Sequence, residues 1–184
     1  MRKIDRSIEN PLDNILLDLS EKVSPFFKKT GHTPNLITLY SAITATISMY
    51  ALYNKFFYIF SANWLVAYFF DNLDGFFARK YKMVTKLGDT LDHTKDTIMW
   101  VITVIILITK YQIPKHFILG FILIGIFCAK HISCQQVLYK NNDIKESISI
   151  LCSLCKTPKD IRWTRFFGGG SLYLFIIVLV AFSK

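Results

Sequence analysis

The sequence predicts an all-α, polytopic membrane helical bundle of about five to six transmembrane helices, with an N-terminal amphipathic helix lying in the interface. Three observations lead there. The 184 residues are 52% hydrophobic and 15% aromatic, above the usual content of a soluble domain, and the mean hydropathy is +0.35. Several apolar runs reach the length of about 20 residues that crosses a bilayer. The net charge of +9 comes from Lys and Arg residues set between those runs, which assigns it to lipid head groups and topology rather than to nucleic acid. The length is that of one domain, 1–184, divided into the interfacial helix at 10–27 and the bundle at 33–184.

Residues 1–9 are polar and read as loose. Asn10-Pro11 starts a helix, with Asn10 as N-cap and Pro11 in the first turn. Leu12, Ile15, Leu16, Leu19 and Val23 recur on one face, Asp13, Asp18, Glu21 and Lys22 lie off it, and Phe26 and Phe27 serve as interfacial anchors. Thr33 caps the first span, 35–54. The second begins near Phe56 and must continue to about Tyr81, because its apolar part is short. The third runs from Thr85 or Gly88 to about Ile108, and the fourth from about Pro114 to Leu138. Within the fourth, Lys130 and His131 do not face lipid comfortably; for Lys130, snorkelling is favoured over facing a site. The fifth span, 166–182, opens on Gly168-Gly169-Gly170, which suits close helix packing better than a phosphate turn. Residues 140–163 are mixed and polar; either a sixth span is missing or Ile144–Cys155 inserts. The N-terminus is charged and lacks the apolar core of a cleavable signal peptide.

Positive residues orient the bundle. Sixteen lie in the N-terminal region, the second-to-third loop and 140–165, against Lys55, Lys110, Lys115 and Lys184 on the other side. This places the N-terminus and the end of the bundle that carries the acids in the cytoplasm. The four cysteines, Cys128, Cys134, Cys152 and Cys155, read as reduced and small; the Cys152–Cys155 spacing lacks the further ligands of a zinc site.

The stretch Asp71–Asp96, DNLDGFFARKYKMVTKLGDTLDHTKD, holds five of the thirteen acids. Carboxylates beside a bilayer are costly and point to function. Asp71, Asp74 and Ala78 share one helical face; Asp89, Asp92, His93 and Asp96 share one face of the next helix. A short basic connection brings both groups to one side of the membrane, where converging carboxylates repel unless divalent cations neutralise them. Oxygen donors suit Mg²⁺ or Mn²⁺, and two such ions clamp a transferring phosphoryl group.

The pattern Asp71-x2-Asp74-Gly75-x2-Ala78-Arg79-x8-Gly88-x3-Asp92-x3-Asp96 resembles the signature of the CDP-alcohol phosphotransferase (CDP-alcohol phosphatidyltransferase class-I) family at every fixed position. The resemblance implies an integral membrane enzyme of phospholipid biosynthesis: an alcohol attacks the CDP-linked phosphorus and CMP leaves. It implies metal ligation of two ions by Asp71, Asp74, Asp92 and Asp96, with Asp96 as general base. Gly75 and Ala78 are small where the cytidine approaches, Arg79 reaches phosphate oxygens, and Gly88 and Asn35 lie toward the nucleotide. Members usually have six spans; with five here, the acceptor-lipid side and a family-like homodimer stay open.

Asp89 and His93 resemble the acid and histidine of eukaryotic choline and ethanolamine phosphotransferases. That leans the reading toward a diacylglycerol acceptor, with His93 sharing the base role. The alternative is a phosphatidyltransferase that uses CDP-diacylglycerol with serine, inositol or glycerol phosphate. A non-catalytic membrane protein or ion pathway is a third class; it would spread acids mid-span or lose a carboxylate.

Overall fold

The computed structural model describes residues 1–111, 113–138, 155 and 161–183, all of whose regular elements are helical. In order these are α1 (Pro11–Lys29), α2 (Pro34–Tyr53), α3 (Phe57–Lys80), α4 (Lys86–Lys110), α5 (Lys115–Leu138), a short α6 (Ile161–Thr164) and α7 (Gly169–Phe182), with a 3₁₀ turn, Arg165–Phe167, before α7. The starts of α1 and α2 follow the capping chemistry read from the sequence: the Asn10 side chain accepts from the N–H groups of Leu12 and Asp13, and Thr33 from Leu36. Thr85, expected only as a possible start of the third span, caps α4 by accepting from Gly88. The last span begins at Gly169, three residues later than expected, because Gly168 holds extended backbone behind the 3₁₀ turn. The choice between a missing sixth span and an inserted Ile144–Cys155 falls outside the described residues, Cys155 apart.

The bundle packs by small residues and hydroxyls, as helices must where lipid removes the hydrophobic driving force. On α2, Ser41, Ala45 and Ser48 face α3. Ser41 Oγ donates to the Ala67 carbonyl and Ser48 Oγ to the Phe60 carbonyl, each at 3.0 Å, contributions of roughly 0.6 kcal/mol apiece. An aromatic cluster joins α3, α4 and α7: Tyr173 stacks on Tyr68 at 3.9 Å, meets Trp100 edge-on at 5.2 Å, and its carbonyl takes the Trp64 indole N–H at 3.2 Å. The outward faces are apolar. On α4, Ile98, Val101, Ile102, Ile105 and Ile108 are exposed while Met99, Thr103, Ile106 and Leu107 are buried, an apolar outer stripe that fits lipid and not water. By length and composition, Pro34–Tyr53 and Ile161–Phe182 are long and apolar enough to cross a membrane. The second and third predicted spans, α3 and α4, carry the carboxylates that lower their hydropathy.

Three expectations need revision. Residues 1–9 are tied down: Arg2 pairs with Asp18 and donates to Asn14 at 2.7 Å, and Ile4 is buried with Cys134 and Ile161. Helix α1 turns Asp13, Leu17, Ser20 and Ser24 inward and leaves Ile15, Leu19 and Phe26 outward. Its inward face is thus largely polar and closes over the acidic end of the bundle. Cys134 and Cys155, expected to be reduced, form a disulfide with Cα atoms 5.0 Å apart; at a separation of 21 residues the pair has no local spacing to mark it.

Candidate active site

The last turns of α3 and the first turns of α4 carry the acids to one end of the bundle. The connection is only Tyr81–Thr85, so α4 turns back at the end where α3 stops, with α2 packed against both helices. Asp71, Asp92 and Asp96 each offer an oxygen within 4.8 Å of the others. At that spacing two carboxylates repel by about 3 kcal/mol at an effective dielectric near 20. The chain answers with Lys95. Its ammonium group pairs with Asp71, lies 3.1 Å from both Asp92 and Asp96, and donates to Ser41 Oγ at 3.1 Å. Lys95 escaped the sequence reading, although its position three residues after Asp92 placed it on the same face. Asp74 is buried and turned toward α2, where Thr38 Oγ1 donates to it at 2.6 Å.

All-oxygen donors this close, with a cation already drawn among them, fit a hard divalent ion. Asp71, Asp92 and Asp96 would hold it, with Asp74 beside them.

Two cavities meet at this cluster. The first, of about 120 Å³, is lined by Asn35, Gly75, Ala78, Arg79 and Gly88 together with Asp74, Asp92 and His93, so the expected nucleotide residues share one wall. Gly88 makes a close approach there: a Cβ would stand 3.0 Å from Asn35 Oδ1 and 3.1 Å from Thr85 Oγ1. His93 Nε2 lies 3.2 Å from Asp89 Oδ1, an i,i+4 pair on α4. The second cavity, of about 240 Å³, is reached by Asp71 and Asp96 and runs inward past Asn72, Trp100 and Tyr173 to Asp13, His131 and Gln135. Lys3, Asp74, Gly75, Arg79 and Asp92 line both. Asp96 and His93, the expected acid–base partners, therefore line different cavities.

The inner wall of the second cavity is a buried polar network that the sequence did not disclose. Glu9 lies 3.8 Å from His131 and accepts from Gln135 at 2.8 Å. Asp13 Oδ1 accepts the Tyr68 hydroxyl at 2.5 Å. Burial raises the Asp13 carboxyl to about 7, the Tyr68 hydrogen bond opposing and the Glu9 charge adding to the rise. These residues lie 55 to 126 positions apart in the chain. A signal was present only in His131, a polar residue inside an apolar span; Asp13 lay on the polar side of its helix and gave none.

No curated protein and no solved structure matches the chain. A family model described as CDP-alcohol phosphatidyltransferase matches residues 31–181, which include every carboxylate of the cluster. Together with the helical bundle and the acids gathered at one end of it, that match sets aside an ion pathway or a non-catalytic protein: the chain belongs to the CDP-alcohol phosphatidyltransferase family, membrane-integral transferases that move a substituted phosphate group from a CDP-alcohol in phospholipid synthesis.

Proposed function

We propose that this enzyme is a phosphatidyltransferase: it binds CDP-diacylglycerol with the cytidine in the first cavity and transfers the phosphatidyl group to a polar alcohol seated in the second. The observation that carries the reading is the meeting of two differently lined cavities at Asp74 and Asp92. Gly75 and Ala78 leave room for the nucleotide on α3, Asn35 and Gly88 border it, and Arg79 offers a guanidinium to phosphate oxygens. Asp71, Asp92 and Asp96, with Asp74 beside them, would hold Mg²⁺ or Mn²⁺, two ions by analogy with phosphoryl-transfer sites. When bound, the metal would supply charge neutralisation at the phosphates and the leaving CMP. The acceptor oxygen bonds to the phosphorus that bears the diacylglycerol, the bond from that phosphorus to CMP breaks, and CMP departs with the electron pair. Asp96, on the second-cavity side, takes the hydroxyl proton.

A second reading is favoured by the Asp89–His93 contact: transfer of phosphocholine or phosphoethanolamine to diacylglycerol, with His93 as base. It is the less supported one, because His93 lines the nucleotide cavity and not the polar one. Full-length protein in proteoliposomes, offered CDP-diacylglycerol, CDP-choline or CDP-ethanolamine with their acceptors, separates the two by which donor releases CMP. His93→Ala lowers turnover about 10²-fold or more if His93 is the base, and little if Asp96 is. Chelator should abolish CMP release and Mg²⁺ or Mn²⁺ restore it; undiminished release in excess chelator would remove the metal from the reading.

A further inference from the structure

We propose that the second cavity is an acceptor subsite selective for a short alcohol bearing an amine, whose ammonium group is held by Asp13 while its hydroxyl faces Asp96. The inference rests on the phosphatidyltransferase reading above and names the acceptor class for it.

Asp13 is the acid left over in the inner wall. Glu9 is matched by His131 and Gln135, whereas Asp13 is buried with the Tyr68 hydroxyl and the Gly170 N–H as its donors and, among the described residues, forms no ion pair. A desolvated carboxylate in that state gains most from a cation that arrives with the ligand. The aromatic faces around it favour the same charge. Tyr173 stacks on Tyr68, Trp100 meets Tyr173 edge-on, and both Trp100 and Tyr173 line the cavity, a setting in which an ammonium gains further attraction from ring faces.

Spacing sets the length of the acceptor. Tyr68, the partner of Asp13, precedes Asp71 by three residues on α3. That is about 4.5 Å along the helix axis, so the tyrosine that donates to Asp13 stands roughly one turn deeper on α3 than Asp71. An alcohol with its amine two carbons from the hydroxyl spans a gap of that order. The other acceptor classes fit less well. Lys3 and Arg79 are the cationic side chains among the described residues lining this cavity, and both also line the nucleotide cavity. They serve the donor phosphates, and among the described residues the inner wall has no guanidinium fork for a phosphorylated acceptor. Diacylglycerol would set two acyl chains against Asp13, Asn72, His131 and Gln135, burying those polar groups without partners.

The test uses full-length protein in proteoliposomes with CDP-diacylglycerol and Mn²⁺, reading CMP release. Serine and ethanolamine should support release with acceptor KM values at least about tenfold below those of inositol or glycerol 3-phosphate. Asp13→Asn should raise the amino-alcohol KM about tenfold or more while leaving the KM for CDP-diacylglycerol unchanged. The wild-type protein gives a check that does not depend on how the variant folds: propylamine should inhibit competitively against the amino alcohol, and propanol should not. Preferential use of glycerol 3-phosphate or inositol, or equal inhibition by propylamine and propanol, overturns the amine selectivity and leaves the phosphatidyltransferase reading standing. CMP release only from CDP-choline or CDP-ethanolamine with diacylglycerol overturns both.

Discussion

An ammonium group enclosed by three carboxylates must be displaced before a divalent ion can take its place. Lys95 therefore acts as the counter-ion of the metal-free protein. Lys95→Met should lower the unfolding temperature in chelator, since it strips the partner from a largely buried ionic cluster, a loss of about 3 kcal/mol. The same variant should bind Mn²⁺ more tightly, as read by the paramagnetic signal of the bound ion; an unchanged melting point in chelator would show that Lys95 does not hold the acids together. Asp71→Asn and Asp74→Asn should each lower CMP release on the order of 10³-fold with the protein still inserted in membranes. At Asp13 the folded-state pKa of about 7 stands above the unfolded value near 3.9. The folded state thus holds that proton more tightly. The stability it contributes is full below about pH 4 and is lost as pH rises through 7. Thermal unfolding followed across this window should show wild type losing stability relative to Asp13→Asn as pH increases, and parallel curves would refute the assignment.

At the scale of elements, α1 and the start of α7 are built against each other. A Cβ on Gly170 would fall 2.7 Å from both Asn10 Oδ1 and Asp13 Oδ1, and one on Gly169 would fall 2.7 Å from the Tyr68 hydroxyl. The glycine run of α7 is the surface on which the α1 cap and the Asp13–Tyr68 pair are seated. Gly170→Ala should destabilise the protein by about 1–3 kcal/mol through overpacking, measured by thermal unfolding in detergent, and should weaken acceptor binding more than donor binding. With Asp13 turned inward, Ile15, Leu19 and Phe26 face away from the bundle, so α1 serves as a cover for the cavity and leaves an apolar outer edge to the interface.

For the whole molecule, the start of α2, the end of α3, the start of α4, the end of α5 and the start of α7 all lie at the catalytic end. At the opposite end, Lys110 sits 4.0 Å over the Tyr53 ring and Lys55 lies 5.6 Å from that of Tyr111, the aromatic and basic composition of a membrane–water boundary. We propose five crossings, with the N-terminus and the site in the cytoplasm and the C-terminus across the membrane. Tags at the two ends, probed by protease in sealed vesicles, should show one cleaved and the other protected; cleavage of both would require an even number of crossings. The Cys134–Cys155 bond lies at the catalytic end, and disulfides are uncommon in a reducing compartment. Thiol labelling of the unreduced protein from cells reports independently which compartment that end faces.

The sequence by itself determined what depends on local rules. Helix caps at Asn10, Thr33 and Thr85 are written within four residues of chain. The acid spacing in Asp71–Asp96 falls on two helix faces joined by a short loop, so the carboxylate cluster could be read without any long-range contact. Only the tertiary structure decided what depends on elements remote in the chain. It placed Lys95 among the acids, separated His93 from Asp96 into different cavities, paired Cys134 with Cys155, and turned the polar face of α1 onto a pocket walled by α3, α5 and α7. An amphipathic helix beside a bilayer has two apolar environments open to it, lipid and protein. Its periodicity is the same in both, and only packing against Tyr68 and the glycines of α7 chooses which face goes in.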